Sequence, residues 1–171
     1  MATFLRQKVR VLLLAVLFCF GFCGRSFALD AGTRAPDFEL SGAEGPVRLS
    51  SNAGSVVYLD FWASWCGPCR QSFAWMNAMQ EKYRAQGLRV VGVNLDASGA
   101  DAKKFLKETP AKFTIAFDSK GETPKAFGVK GMPTSFLIGR DGKVISQHLG
   151  FKEADRESLE KQIEGALEGG K

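Results

Sequence analysis

The stretch Ser55-Val56-Val57-Tyr58-Leu59-Asp60-Phe61-Trp62-Ala63-Ser64-Trp65-Cys66-Gly67-Pro68-Cys69 decides how this chain folds. Its first half, Ser55 to Phe61, is β-branched and aromatic and reads as a strand. Beyond it, Arg70 to Gln86 repeats apolar residues at helical spacing through Phe73, Met76, Met79 and Tyr83. The two thiols therefore stand at a strand-to-helix junction, one helical turn apart, with Pro68 suited to opening the helix. At a helix N-terminus, unpaired N–H groups and the macrodipole favour a thiolate over a thiol. Cys66, nearer the end, is the expected nucleophile, and Cys69, a turn inside, the resolving thiol. Lowering a thiol pKa from about 8.5 to about 7 is worth roughly 2 kcal/mol of thiolate stabilisation, which makes the same sulfur a competent attacker and a good leaving group.

Two plainer uses of the pair fit the rest of the sequence poorly. Structural zinc takes four Cys or His ligands, and beyond Cys66 and Cys69 the chain offers Cys19 and Cys23, inside an apolar N-terminal run, and a solitary His148. A structural bridge closing so short a loop would remove comparatively little unfolded-state entropy.

The N-terminus points to the compartment. Met1 to Arg10 carries Arg6, Lys8 and Arg10 with no acid, Val11 to Phe22 is an unbroken apolar stretch of 12 residues, and Ser26-Phe27-Ala28 offers small residues where signal peptidase reads. Residues 1–28 are expected to be a secretory signal, with Leu29 the first mature residue. The apolar stretch falls short of the roughly 20 residues of a spanning helix, and Val9 to Gly24 serving as an uncleaved anchor is the alternative. Cys19 and Cys23 each follow a Phe rather than a small residue, which argues against lipid attachment.

The signal also accounts for most of the basic character. The whole chain is +5, but residues 1–28 hold four basic residues and no acidic ones, which leaves 19 basic against 18 acidic side chains after cleavage. No Lys/Arg cluster with interleaved aromatics remains to support nucleic-acid binding, and Lys103-Lys104-Phe105-Leu106-Lys107 reads as the solvated face of a helix. Two cysteines in the remaining chain, both in one pair, make no disulfide framework.

Residues 29–171 suit a single α/β domain with a hydrophobic core. Phe38 to Leu40 and Val47 to Leu49 flank the turn-prone Gly42 to Pro46 as a small hairpin. The helix after the cysteines is expected to stop at Gly87, and Leu88 to Leu95 is a continuous apolar strand of the kind found in buried parallel sheets. Asp101 to Glu108 is helical, Phe113 to Phe117 a short strand, and Thr123 to Phe127 a helical turn. Ser135 to Ile138 and Val144 to Leu149 form a hairpin across Arg140-Asp141-Gly142, and Asp155 to Leu167 is an amphipathic closing helix. Strands alternating with helices indicate a mixed sheet with helices on both faces.

Val57 to Cys69, together with Gly131-Met132-Pro133-Thr134, resembles the thioredoxin superfamily. Ala35-Pro36-Asp37-Phe38-Glu39-Leu40 is similar to the opening strand of its TlpA/ResA-like (redoxin, AhpC/TSA-type) branch of thiol-disulfide oxidoreductases, and the helix and strand between Asp96 and Lys120 resemble that branch's insertion. The resemblance implies a thioredoxin-like mixed sheet with an N-terminal β-hairpin and an inserted helix-strand unit. It implies that Pro133 is cis and packs beside the cysteines, with Met132 presenting its backbone edge to a substrate strand and Trp65 and Met132 forming an apolar rim. Gly67, Pro68 and Thr134 complete the implied substrate-binding set. Asp60 matches the buried acid of thioredoxins, where desolvation raises the carboxyl pKa and lets it accept the Cys69 proton; a solvent-exposed strand-end Asp is the alternative.

The chain departs from the branch in three places. TlpA/ResA-like members often have Asn where this chain has Asp60, and an acid three residues after the second Cys, where this chain has Ser72. Ala74 stands where most relatives have a helix-kinking Pro, so a straighter helix is expected. Copper-delivery relatives place three residues between their thiols and use a distant His; with Gly67 and Pro68 alone between the cysteines, His148 reads as an exposed residue of the last strand.

The resulting expectation is an envelope or periplasmic dithiol reductase of exposed protein disulfides. A membrane thiol-electron carrier recharges it, and it needs no cofactor beyond the redox-active Cys66–Cys69 disulfide, no metal, no nucleic acid and no second subunit. Cytochrome c maturation and envelope redox homeostasis are the settings that the resemblance offers. A peroxiredoxin-like peroxidase is disfavoured because Ala63-Ser64-Trp65-Cys66 replaces that family's Thr-x-x-Cys pocket; a non-catalytic copper or haem carrier is the alternative of a different class.

Overall fold

The computed structural model describes residues 29–169, so the expected signal or anchor lies outside the described residues. Seven strands form one mixed sheet: β1 (Glu39–Gly42), β2 (Pro46–Arg48), β3 (Val56–Trp62), β4 (Leu88–Asn94), β5 (Thr114–Phe117), β6 (Thr134–Ile138) and β7 (Val144–Leu149), in the order β2-β1-β5-β4-β3-β6-β7. Four α-helices accompany them: α1 (Gly67–Tyr83), α2 (Gly99–Glu108), α3 (Glu122–Ala126) and α4 (Arg156–Glu168). The expected elements are all present, with ends shifted by one to three residues where caps and turns absorb the chain.

β3 is buried along its whole length because it is central, parallel to β4 and antiparallel to β6. Its alternating side chains feed two cores. Val56, Tyr58 and Trp62 join the core that contains Cys66, Cys69, Phe73 and Met76 of α1, Phe105 of α2, and Leu159 and Ile163 of α4. Val57, Leu59 and Phe61 join the opposite core with Phe127, Phe136 and Val144. Helices thus lie on both faces, unequally: α1, α2 and α4 supply the first core, whereas the second is closed by the residues around α3 and by the N-terminal segment.

The first core is aromatic at its centre. Trp62 lies 4.8 Å from Phe73 and 4.9 Å from Phe105, and Phe73 lies 5.2 Å from Phe113. Burying each such ring is worth roughly 2–3 kcal/mol. The inserted unit therefore does two things: β5 joins the sheet between β1 and β4, and α2 brings Phe105 down onto the base of α1. α1 runs without interruption through Ala74, as expected from the missing proline, and a short 3-10 turn ends it at Gly87, whose φ of 99° suits glycine. Lys82 and Tyr83 tie α1 to α4 through Glu160, at 2.7 and 2.8 Å.

Candidate functional site

The Ala63–Cys66 turn leaves the C-terminal end of β3, and Cys66 becomes the N-cap of α1. Its Sγ accepts the backbone N–H of Cys69 at 3.3 Å, while Pro68, which has no N–H to lose, sits in the first turn. No acidic side chain occupies that turn, so nothing there opposes a thiolate. Cys66 and Cys69 are joined as a disulfide with S–S 2.10 Å. The two cysteines differ in exposure: Cys66 is 6% exposed and Cys69 is fully buried. Trp65, by contrast, is 74% exposed, an indole standing free beside the pair, with Gly67 and Pro68 also at the surface.

The Gly131–Thr134 segment arrives from the other side. Phe61 pairs with Thr134, so Pro133 lies one residue past the last β3–β6 pair, where the turn to the cysteines begins. The Met132–Pro133 bond is cis. Met132 is half-buried and packs against the core containing Cys66 and Cys69, whereas Pro133 is buried. Thr134 is fully buried, and its hydroxyl donates to the Gly131 carbonyl at 2.6 Å. Its side chain therefore shapes the turn, and its main chain is paired with Phe61 on one side and Leu149 on the other.

Asp60 belongs to the cysteine face of β3, since it alternates with Tyr58 and Trp62. It is 2% exposed and its Oδ2 has no hydrogen-bond partner, so it is not the exposed strand-end residue of the alternative. Burial pushes its carboxyl well above the ordinary carboxylate range. Ser72, the residue in place of the relatives' acid, is also buried and donates its hydroxyl to the Cys69 carbonyl at 2.9 Å. His148 is not a free surface residue. Its imidazole is partly covered and Nε2 lies 3.3 Å from Asp155 Oδ2.

One buried acid near the pair escaped the sequence reading. Asp96, just beyond β4, accepts from the Ser64 backbone N–H at 3.1 Å, the Ser64 hydroxyl at 3.1 Å and the Asn94 amide at 2.8 Å. The polar residues Asn94 and Asp96 closing an apolar strand were the available signal.

A disulfide at a helix N-terminus with one guarded cysteine, an exposed indole next to the pair in the chain and a buried acid on the same face is equipped for thiol–disulfide exchange. The family model described as Redoxin matches residues 30–163. The chain belongs to the redoxin family. This redoxin is 35% identical over 144 residues to the thiol-disulfide oxidoreductase ResA of Bacillus cereus, covering 84% of this chain and 82% of that one. It is 33% identical over 125 residues to the ResA of Bacillus subtilis, covering 72% and 69%. Among solved structures, a Chlorobium tepidum protein assigned as thiol:disulfide interchange protein DsbE superposes with a TM-score of 0.81 at 67% identity, covering 81% of this chain and 99% of that one. StoA of Bacillus subtilis superposes with a TM-score of 0.64 at 27% identity, covering 74% and 96%. This redoxin has the thioredoxin-like fold and is a dithiol oxidoreductase, with protein disulfides as its class of substrate.

Proposed function

We propose that this redoxin is an envelope reductase of exposed protein disulfides, with Cys66 as nucleophile, Cys69 as resolving thiol and Asp60 as proton acceptor. The observation that carries the assignment is the asymmetry of the pair: Cys66 caps the helix and keeps some exposure, whereas Cys69 is sealed. The Cys66 thiolate attacks one sulfur of a substrate disulfide, and the first substrate thiolate departs. Cys69 gives its proton toward the Asp60 carboxylate and attacks Cys66 Sγ, which releases the second substrate thiolate and closes the Cys66–Cys69 disulfide. Trp65 and Met132 supply the apolar rim, and the main chain at Met132 offers strand-like hydrogen bonding with little demand on substrate sequence. Gly67 and Pro68 leave the approach to Cys66 unobstructed.

The regenerating reductant is a membrane thiol-electron carrier, and the basic, then apolar N-terminal sequence supports a place in the envelope, cleaved free or anchored. Cytochrome c maturation is the setting that the likeness to ResA and DsbE favours. A Cys69→Ser variant, purified from the native envelope with its thiols blocked, tests the reading. Oxidised proteins captured on Cys66 and freed by reductant are the expected result. An absence of captured proteins, together with peroxide turnover in the wild type without an added disulfide, would replace the reductase with a peroxidase.

A further inference from the structure

Asp60 is sealed under α1, yet an acceptor that takes one proton per turnover must also lose it. While a substrate is joined to Cys66, the substrate side is the covered one. The sheet offers another way out. Asp60 pairs with Ser135 across β3–β6, and Ser135 pairs with His148 across β6–β7. Directly opposed residues of a sheet share a face, so the three side chains form a row running from the central strand to the sheet edge.

The row is polar in an otherwise apolar layer. The Tyr58 hydroxyl donates to Ser135 Oγ at 2.8 Å, and Tyr58 is the ionisable neighbour of Asp60 on its own strand. Beyond Ser135, a notch of about 10 Å³, roughly the space of one water molecule, opens over Leu137, Leu159 and Ile163, with Tyr58, Ser135, Ser146, His148 and Gln162 as its polar lining. Its outer wall is His148, whose Nε2 meets Asp155 Oδ2 at 3.3 Å, with both side chains about one-third exposed.

We infer that Asp60 exchanges its proton with solvent through Tyr58, Ser135 and a water in this notch to His148 and Asp155, behind the substrate face. This rests on the assignment of Asp60 as proton acceptor. The hydroxyls pass the proton by accepting one hydrogen bond while donating the next, and the imidazole takes it on one ring nitrogen and releases it from the other. Within the sheet Asp60 is flanked by Tyr58 on β3, Gly92 on β4 and Ser135 on β6, and α1 covers the same face with the Cys66–Cys69 pair. The groups facing His148 are Ser135, Asp155, and Ser146 and Gln162 at the notch. No fixed positive charge lies among these groups to block a proton. His148 and Tyr58 are thus positioning residues that act through Asp60, without touching substrate.

The test follows protons and sulfur separately. Reduced full-length protein is mixed in weak buffer with an aromatic bis(nitrobenzoate) disulfide, whose thiolate stays unprotonated near neutral pH. The Cys66 thiolate and Cys69 thiol become a disulfide, two aromatic thiolates leave, and the single Cys69 proton is released and read by an indicator dye. In the wild type the proton should appear together with the second thiolate. In His148→Gln and in Tyr58→Phe it should lag by about tenfold, less than the loss of a general base itself. Added imidazole should remove the lag in His148→Gln alone. His148→Gln alters a partly exposed side chain, so it remains informative even if Tyr58→Phe unfolds. Proton release that keeps pace with thiolate in both variants, or a lag confined to Tyr58→Phe, overturns the exit through His148. Asp60→Asn separates the two levels: an unslowed second thiolate there would instead remove Asp60 as acceptor.

Discussion

The carboxylate of Asp96 holds Ser64 by both its backbone N–H and its hydroxyl, at 3.1 to 3.2 Å, two residues before Cys66. A residue at the end of β4 thereby fixes the turn that leaves β3. Asn94 completes the arrangement, donating its amide to Asp96 and accepting the Asp96 backbone N–H at 3.1 Å.

Removing that carboxylate should loosen the active-site turn before it unfolds the domain. Asp96→Ala leaves the buried Asn94 amide without its acceptor and is expected to cost about 1–3 kcal/mol. Urea midpoints of wild type and variant give this value. Amide exchange at Ser64 to Cys66 should accelerate beyond the global change, and uniform exchange would show that Asp96 does not organise the turn.

Alkylation of the reduced protein near pH 7 should modify Cys66 well before Cys69, because Cys66 caps the helix with some exposure and Cys69 has none. Peptide mapping after limited iodoacetamide treatment reads the order. Labelling of Cys69 first would reverse the assigned roles.

Asp60 carries a pH signature of definite sign. Its folded-state pKa is raised, so the folded protein holds a proton that the unfolded chain releases, and stability falls as pH rises above the unfolded value of about 4. Asp60→Asn avoids the cost of the buried charge. The variant should therefore be more stable than wild type at neutral pH, with the difference vanishing below about pH 4. Denaturation midpoints across pH decide it, and parallel curves would mean that Asp60 is not desolvated.

Gly92 faces Asp60 across β3–β4, and a Cβ there would lie 3.0 Å from the Phe113 ring, 3.1 Å from Trp62 Nε1 and 3.3 Å from Ile115 Cδ1. Two aromatic rings and the Ile115 methyl would all have to shift by a few tenths of an ångström. Gly92→Ala should cost about 1–3 kcal/mol by overpacking and alter the near-ultraviolet dichroism of Trp62. An unchanged midpoint would mean that this core is looser than its contacts indicate.

Trp65 stands free of the core, so Trp65→Ala should leave the folding midpoint within about 0.5 kcal/mol. Its effect should fall on catalysis, with slower reduction of a protein disulfide and little change for a small aromatic one. Equal rates on the protein substrate would remove Trp65 from the rim.

Sequence periodicity was enough to place the strands and helices and to put the cysteines at a helix start, because these rest on local signals: alternation in strands, helical spacing in α1, and Pro68 and Gly87 at its ends. The pairing of Cys66 with an inner Cys69 was legible for the same reason. The burial of Asp60 was legible only through the resemblance to thioredoxins, since local pattern cannot show that β3 has β4 on one side and β6 on the other, and β6 lies more than 70 residues along the chain. Thr134 shows the limit from the other direction: its place beside the proline was read from sequence, but the turn of its hydroxyl inward to Gly131 comes from packing. Asp96 on Ser64, and the row from Asp60 through Ser135 to His148, are likewise products of sheet register. Local preference sets what each segment becomes, whereas only the closing of long loops into one sheet decides which polar side chains lose water together and must find one another.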